Sequence, residues 1–137
     1  ATLQWSVNLG PAPVMQLISD GSGGCAVASQ DVGGYTVTWY DNKGGVRYTK
    51  TAIPAAPILI ACQKNGVVFC YQDGGFYRVI TVDKKGTESI TGAPGEHYVD
   101  YPAVAFNRSV QRRSDSKGYF VERVAGPSTT LQRYSYK

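Results

Sequence analysis

Two dipeptides, Gln30-Asp31 and Gln72-Asp73, set a carboxylate beside a carboxamide at matching places in similar surroundings. Each pair offers carboxylate acceptors together with an amide donor and acceptor, a set able to grip a hydroxylated ligand. Glycines follow both, at Gly33-Gly34 and Gly74-Gly75. An aspartate ahead of glycines commonly hydrogen-bonds the backbone of its own turn, so the turn role is favoured and ligand binding is the alternative. A second group lies in TGAPGEHYVDYP, residues 91–102, which concentrates Glu96, His97, Tyr98, Asp100 and Tyr101. Acidic groups beside aromatic rings can hold a sugar or a cationic side chain by hydrogen bonding and stacking. The plainer reading is a long loop pinned down by Tyr98 and Tyr101. A third group is basic: FNRSVQRRSDSKG, residues 106–118, carries Arg108, Arg112, Arg113 and Lys117, with Lys43, Lys64, Lys84 and Lys85 expected in turns on the same side. Such a surface could meet phosphates. The loop lacks aromatic platforms for stacking bases and Asp115 dilutes its charge, so a solvated loop is favoured and nucleic acid is not the expected partner.

Covalent and metal chemistry have little to work with. His97 is the one histidine, which excludes a histidine-based metal cluster within a single chain. Cys25, Cys62 and Cys70 make an odd count without Cys-x-x-Cys spacing and are read as small buried hydrophobes. Neither G-x-S-x-G nor a phosphate-binding P-loop is present. The expectation is no catalytic residue, no metal and no cofactor. Asn107-Arg108-Ser109 is a glycosylation sequon, which matters only in a secreted eukaryotic chain.

The elements that must position these groups are short strands. The chain has 137 residues, enough to bury a sizeable core, and 42% hydrophobic content excludes disorder. Sixteen glycines and ten tyrosines favour strands joined by tight turns. No apolar run is long enough to cross a bilayer, so membrane insertion is not expected. No signal peptide is visible, although a processed secreted chain would look the same. The net charge of +4 favours solubility and does not establish a polyanionic partner.

An internal repeat organises the strands. Residues 24–44 align with residues 66–86 without a gap, and nine of the 21 positions are identical; unrelated segments would share about one. Cys25 falls at the repeat position of Val67, and Cys70 at that of Ala28. Pro13, Pro57 and Pro102, spaced 44 and 45 residues apart, open PVMQLI, PILIAC and PAVAF. Second strands follow at CAVAS, VVFCY and GYFVERV, and third strands at YTVTWY, YRVITV and TLQRYSY. Asn65-Gly66 is a two-residue hairpin signal. Residues 41–44 and 83–86 fit turns closed by a left-handed glycine. Fourth strands are expected at residues 46–51 and 87–91. The third unit has none, and a spare strand, LQWSVNL at residues 3–9, stands at the front instead. The expected repeat units are approximately residues 3–45, 46–86 and 87–137. PILIAC and VVFCY are apolar almost throughout, as strands covered on both faces require.

The unit resembles the blade repeat of PQQ-like β-propellers: GVVFCYQDGG, YRVITVDKKG and Trp5 in LQWSVNL stand at matching places. The resemblance implies an all-β fold of three four-stranded antiparallel blades. Tyr48 or Thr49 and Ser89 occupy the places of the family's strand-four tryptophan, so tryptophan docking between blades is expected only around Trp5. The quinone-dependent dehydrogenases with this repeat use adjacent cysteines, absent here, which counts against their chemistry. Three blades cannot close a ring, since closed propellers have typically four to eight. The expectation is half of a six-bladed ring, completed by a homodimer in which residues 3–9 of one chain finish the other's last blade. The implied function is a non-catalytic binding or scaffold module whose partner is a second copy, and beyond that another protein or a glycan. The alternatives are a carbohydrate- or small-ligand-binding propeller and a fragment of a larger quinoprotein-like propeller enzyme.

Overall fold

The computed structural model describes residues 1–74, 76–91 and 113–137. Eleven strands and no helix occur among them: β1 (Thr2–Gly10), β2 (Val14–Ser19), β3 (Cys25–Asp31), β4 (Gly34–Tyr40), β5 (Val46–Ile53), β6 (Ile58–Gln63), β7 (Gly66–Asp73), β8 (Phe76–Asp83), β9 (Glu88–Thr91), β10 (Gly118–Ala125) and β11 (Ser128–Ser135). They form three antiparallel sheets. Sheet 1 has the order β2-β3-β4-β5, sheet 2 the order β6-β7-β8-β9, and sheet 3 the order β1-β11-β10. The all-β reading and the internal repeat are therefore both present in the structure. Cys25 opposite Tyr40 and Asp31 opposite Gly34 in sheet 1 recur one repeat later as Val67 opposite Val82 and Asp73 opposite Phe76.

The sheets stack face to face because their strands are apolar on both sides. In β3, Cys25 and Val27 join one cluster while Ala26 and Ala28 join another. Sheets 1 and 2 meet through Val37, Trp39 and Ile53 against Phe69, Ile80 and Val82. Sheets 3 and 1 meet through Trp5, Phe120 and Leu131 against Leu17, Val27 and Tyr40. Trp5 is buried between two sheets, as expected.

Three details differ from the sequence reading. First, β1 pairs with β11 of the same chain, Val7 opposite Leu131, where the expectation had residues 3–9 finishing the last blade of a second copy. Pairing within the chain avoids the translational and rotational entropy that exchange between copies would cost. Hydrogen bonding groups residues 14–53, residues 58–91, and residues 2–10 with 118–135. Second, the loop of the β6–β7 hairpin is Lys64-Asn65, and Gly66 already belongs to β7 opposite Gln63. Gly66 is needed for close approach, since a Cβ there would lie 2.9 Å from the Val82 carbonyl oxygen. Third, Arg113 and Ser114, expected in a solvated loop, run along the edge of β10. Phe120 N–H donates to the Arg113 carbonyl at 2.8 Å, and Ser114 bridges to Tyr119 along the edge of β10. Three strands of sheet 3 are described; the strand expected at PAVAF lies outside the described residues.

Candidate functional site

The topology puts the turns on two rims. One rim carries the β3–β4 and β7–β8 hairpins and the β1–β2 and β5–β6 links; the other carries the β2–β3, β4–β5, β6–β7 and β8–β9 turns with residues 115–118.

On the first of these, both repeated aspartates serve their own hairpins. Asp31 Oδ1 accepts from the Gly33 N–H at 3.0 Å, and its Oδ2 accepts from the Thr36 hydroxyl at 2.8 Å. Asp73 Oδ2 instead meets Arg78 Nε at 2.5 Å, and Arg78 occupies the repeat position of Thr36. Gln72 Nε2 donates to the Gly74 carbonyl at 3.4 Å. Gln30 and Asp31 also line a cleft of about 530 Å3 between sheets 3 and 1, with Leu9, Thr38 and Tyr40. Gln72 and Asp73 do not line it, so the two Gln-Asp pairs do not converge on one cleft. Glu96, His97, Tyr98, Asp100, Tyr101, Arg108 and Arg112 lie outside the described residues.

The opposite rim is built by one recurring turn. In Asp41-Asn42-Lys43-Gly44 and Asp83-Lys84-Lys85-Gly86, the aspartate Oδ1 accepts the lysine N–H at 2.8 and 2.9 Å. The closing glycines Gly44 and Gly86 both have φ near 81°, the left-handed value expected of them. Asp115-Ser116-Lys117-Gly118 repeats the pattern, with the Lys117 N–H on Asp115 Oδ1 at 2.8 Å. Lys43 and Lys85 thus stand at equivalent positions of the β4–β5 and β8–β9 turns, and Lys117 stands in the turn before β10 on the same rim.

Asp115, set down in the sequence as a diluting charge, is the most heavily bonded acid described. Arg133 Nη1 and Nη2 reach its two oxygens at 2.9 and 3.0 Å, and the Ser19 hydroxyl of sheet 1 donates to it as well. Arg133 and Asp115 are both almost fully buried. Burial alone would push the Asp115 carboxyl up. The hydrogen bonds from Arg133, Ser19 and the Lys117 N–H outweigh it and hold the carboxyl well below the usual range. The signal available in the sequence was Ser114-Asp115, which copies Ser19-Asp20 ahead of a glycine turn.

Arg113, one of the anion-binding candidates, pairs with a neighbouring acid. Its Nη1 lies 3.3 Å from Glu122 Oε1, and the other Glu122 oxygen accepts the Val14 N–H at 2.9 Å, tying sheet 3 to β2. That guanidinium is committed to a neighbour, whereas Lys117 remains exposed.

The cysteines are poorly suited to nucleophilic chemistry. All three are buried as thiols. Burial raises Cys25 well above the ordinary thiol value and raises Cys70 to about 11. Both stay protonated near neutral pH. No cluster of three or more His, Cys, Asp or Glu side chains fit to hold a metal occurs among the described residues. What the arrangement offers is surface: two rims of hairpin turns and clefts between adjacent sheets. Comparison of the chain with protein-family models, with curated proteins and with solved structures finds no match in any of the three.

Proposed function

We propose that this protein is a non-catalytic binding or scaffold module whose sheets are propeller blades. The observation carrying this reading is the pairing of β1 with β11, which brings the first and last strands of the chain into one sheet. A radial array of sheets gains most from such a joint, because it ties the ends of the chain together and covers an open strand edge. The stacking order, sheet 3 on sheet 1 on sheet 2, is that of neighbouring blades.

Two copies joined head to tail would extend this arc to six blades, with the far face of sheet 2 against the far face of sheet 3 of the other copy. Support comes from the composition of sheet 2: Ile58, Cys70 and Val79, buried within the chain, form an apolar cluster with the partly buried Ile60 and Val68. Two such contacts related by a twofold axis close on themselves. Light scattering tests this directly: a ring of two copies has twice the 14.8 kDa of one chain. A concentration-independent monomer would overturn the ring and leave the binding module.

A further inference from the structure

The clefts on the lysine-bearing rim differ in charge. The one between sheets 1 and 2, about 330 Å3, has Asp20 and Asp41 in its lining beside Arg47, Lys64 and Lys84. The one between sheets 3 and 1 is larger, about 930 Å3, and among the described residues no carboxylate side chain lines it. It has Lys43, Lys117 and Arg133, the carboxamides of Gln4 and Asn42, and serine and threonine hydroxyls. Leu3, Gly23, Tyr136 and Lys137 complete the described lining, and Tyr136 is 54% exposed.

These groups are held in place. Lys43 and Lys117 stand on turns whose aspartates accept the turns' own N–H groups. The Tyr136 N–H donates to the Lys117 carbonyl at 3.2 Å. Its ring lies 5.7 Å from that of Tyr119, which in turn stacks on Tyr134 at 5.5 Å. Arg133 spends both terminal nitrogens on Asp115, and its buried Nε has no acceptor among the described residues. The exposed ammonium groups of the wall are therefore those of Lys43, Lys117 and Lys137. A fixed aromatic ring, amides and hydroxyls suit a sugar ring, and the lysines demand negative charge on it.

We infer that this cleft binds a short saccharide carrying sulfate or phosphate esters. Both walls belong to one chain, so the site needs no second copy.

The test is calorimetric titration of the whole chain with four probes: a disaccharide bearing sulfate esters, the same disaccharide bearing phosphate esters, its unesterified form, and an oligothymidylate of equal charge. Inorganic sulfate serves as a further control. At least one ester should bind about tenfold or more tighter than the unesterified sugar. K43Q/K117Q should remove that preference, and Y136A should weaken the esterified sugar about tenfold. All three side chains are exposed, and unchanged melting curves would show that the variants fold. Equal binding of esterified and plain sugar would overturn the proposal, as would oligothymidylate binding equally well, inorganic sulfate matching the sugar (an adventitious ion only), or no binding by any probe. Failure here leaves the solution mass, and hence the ring, untouched.

Discussion

The two junctions between sheets perform one task with different side chains. Where sheet 3 meets sheet 1, Trp5 lies against Gly44, with its ring 5.8 Å from Tyr40 and 5.7 Å from Phe120. Its indole N–H donates to the Gly23 carbonyl of the β2–β3 turn at 2.9 Å. Where sheet 1 meets sheet 2, Arg47 takes that place. Its guanidinium sits 3.7 Å over the Trp39 ring and donates to the carbonyls of Lys64 at 2.7 Å and Lys84 at 2.8 Å. Trp5 and Arg47 both come from the outermost strand of their sheet and both reach turn carbonyls of the next. The aromatic surface moves from the fourth strand to the third, and a cation covers it. Tyr48, beside Arg47, adds a hydrogen bond from its hydroxyl to Glu88 of sheet 2 at 2.5 Å. A docking site is thus defined by reach, flatness and hydrogen-bond donors, and an arginine stacked on tryptophan supplies all three.

The largest effects should fall at the first junction. Asp115→Asn strips the buried Arg133 of its counter-charge and should cost about 3–5 kcal/mol, read from urea denaturation. The same residue sets an acid limb. Its carboxyl is depressed in the folded state, so its stabilisation is complete above about pH 4 and is lost as pH falls toward the folded value. In Asp115→Asn that part of the acid dependence should vanish. Trp5→Ala empties a buried site and should also cost about 3–5 kcal/mol; an unchanged melting curve would remove Trp5 from the junction. At the second junction, Arg47→Ala loses the stacking and two hydrogen bonds but leaves Trp39 and Tyr48, and should cost about 2 kcal/mol. Arg47→Lys should recover little of this, because an ammonium cannot stack flat while bonding to two carbonyls. Equal losses for Trp5→Ala and Arg47→Ala would show that the junctions are energetically alike. The smallest effect lies in β5, where Ala52 has φ 55° within an irregular register opposite β4. Ala52→Gly should raise stability by about 0.5–1 kcal/mol, since glycine adopts that conformation without a Cβ clash.

Much of this was legible from residue order. Glycine and proline fence each strand, and the repeat carried the β3–β4 register onto β7–β8 unchanged. The turn role of Asp31 followed from the glycines beside it. Trp5 was legible as a docking residue through the resemblance of LQWSVNL to the tryptophan-bearing strand of the blade repeat. Arg47 was not, since an arginine near a turn reads as a solvated charge until Trp39 is placed beneath it. Gly66 read as a turn residue because Asn-Gly favours hairpins; its actual requirement comes from the neighbouring strand. The Asp115–Arg133 pair joins a turn to a strand two elements away, and Ser19 adds a third segment from another sheet. No local pattern announces such a meeting.

Local chemistry in the chain settled which segments extend, where they turn, and which residues are apolar on both sides, because backbone preference and side-chain alternation act over a few residues. The folded arrangement alone decided that β1 closes its own chain, that an arginine does a tryptophan's work at one junction, and that one cleft has no carboxylate side chain among its described lining. Those outcomes depend on which distant segments lie within hydrogen-bonding or stacking distance, and that is fixed only when the sheets pack.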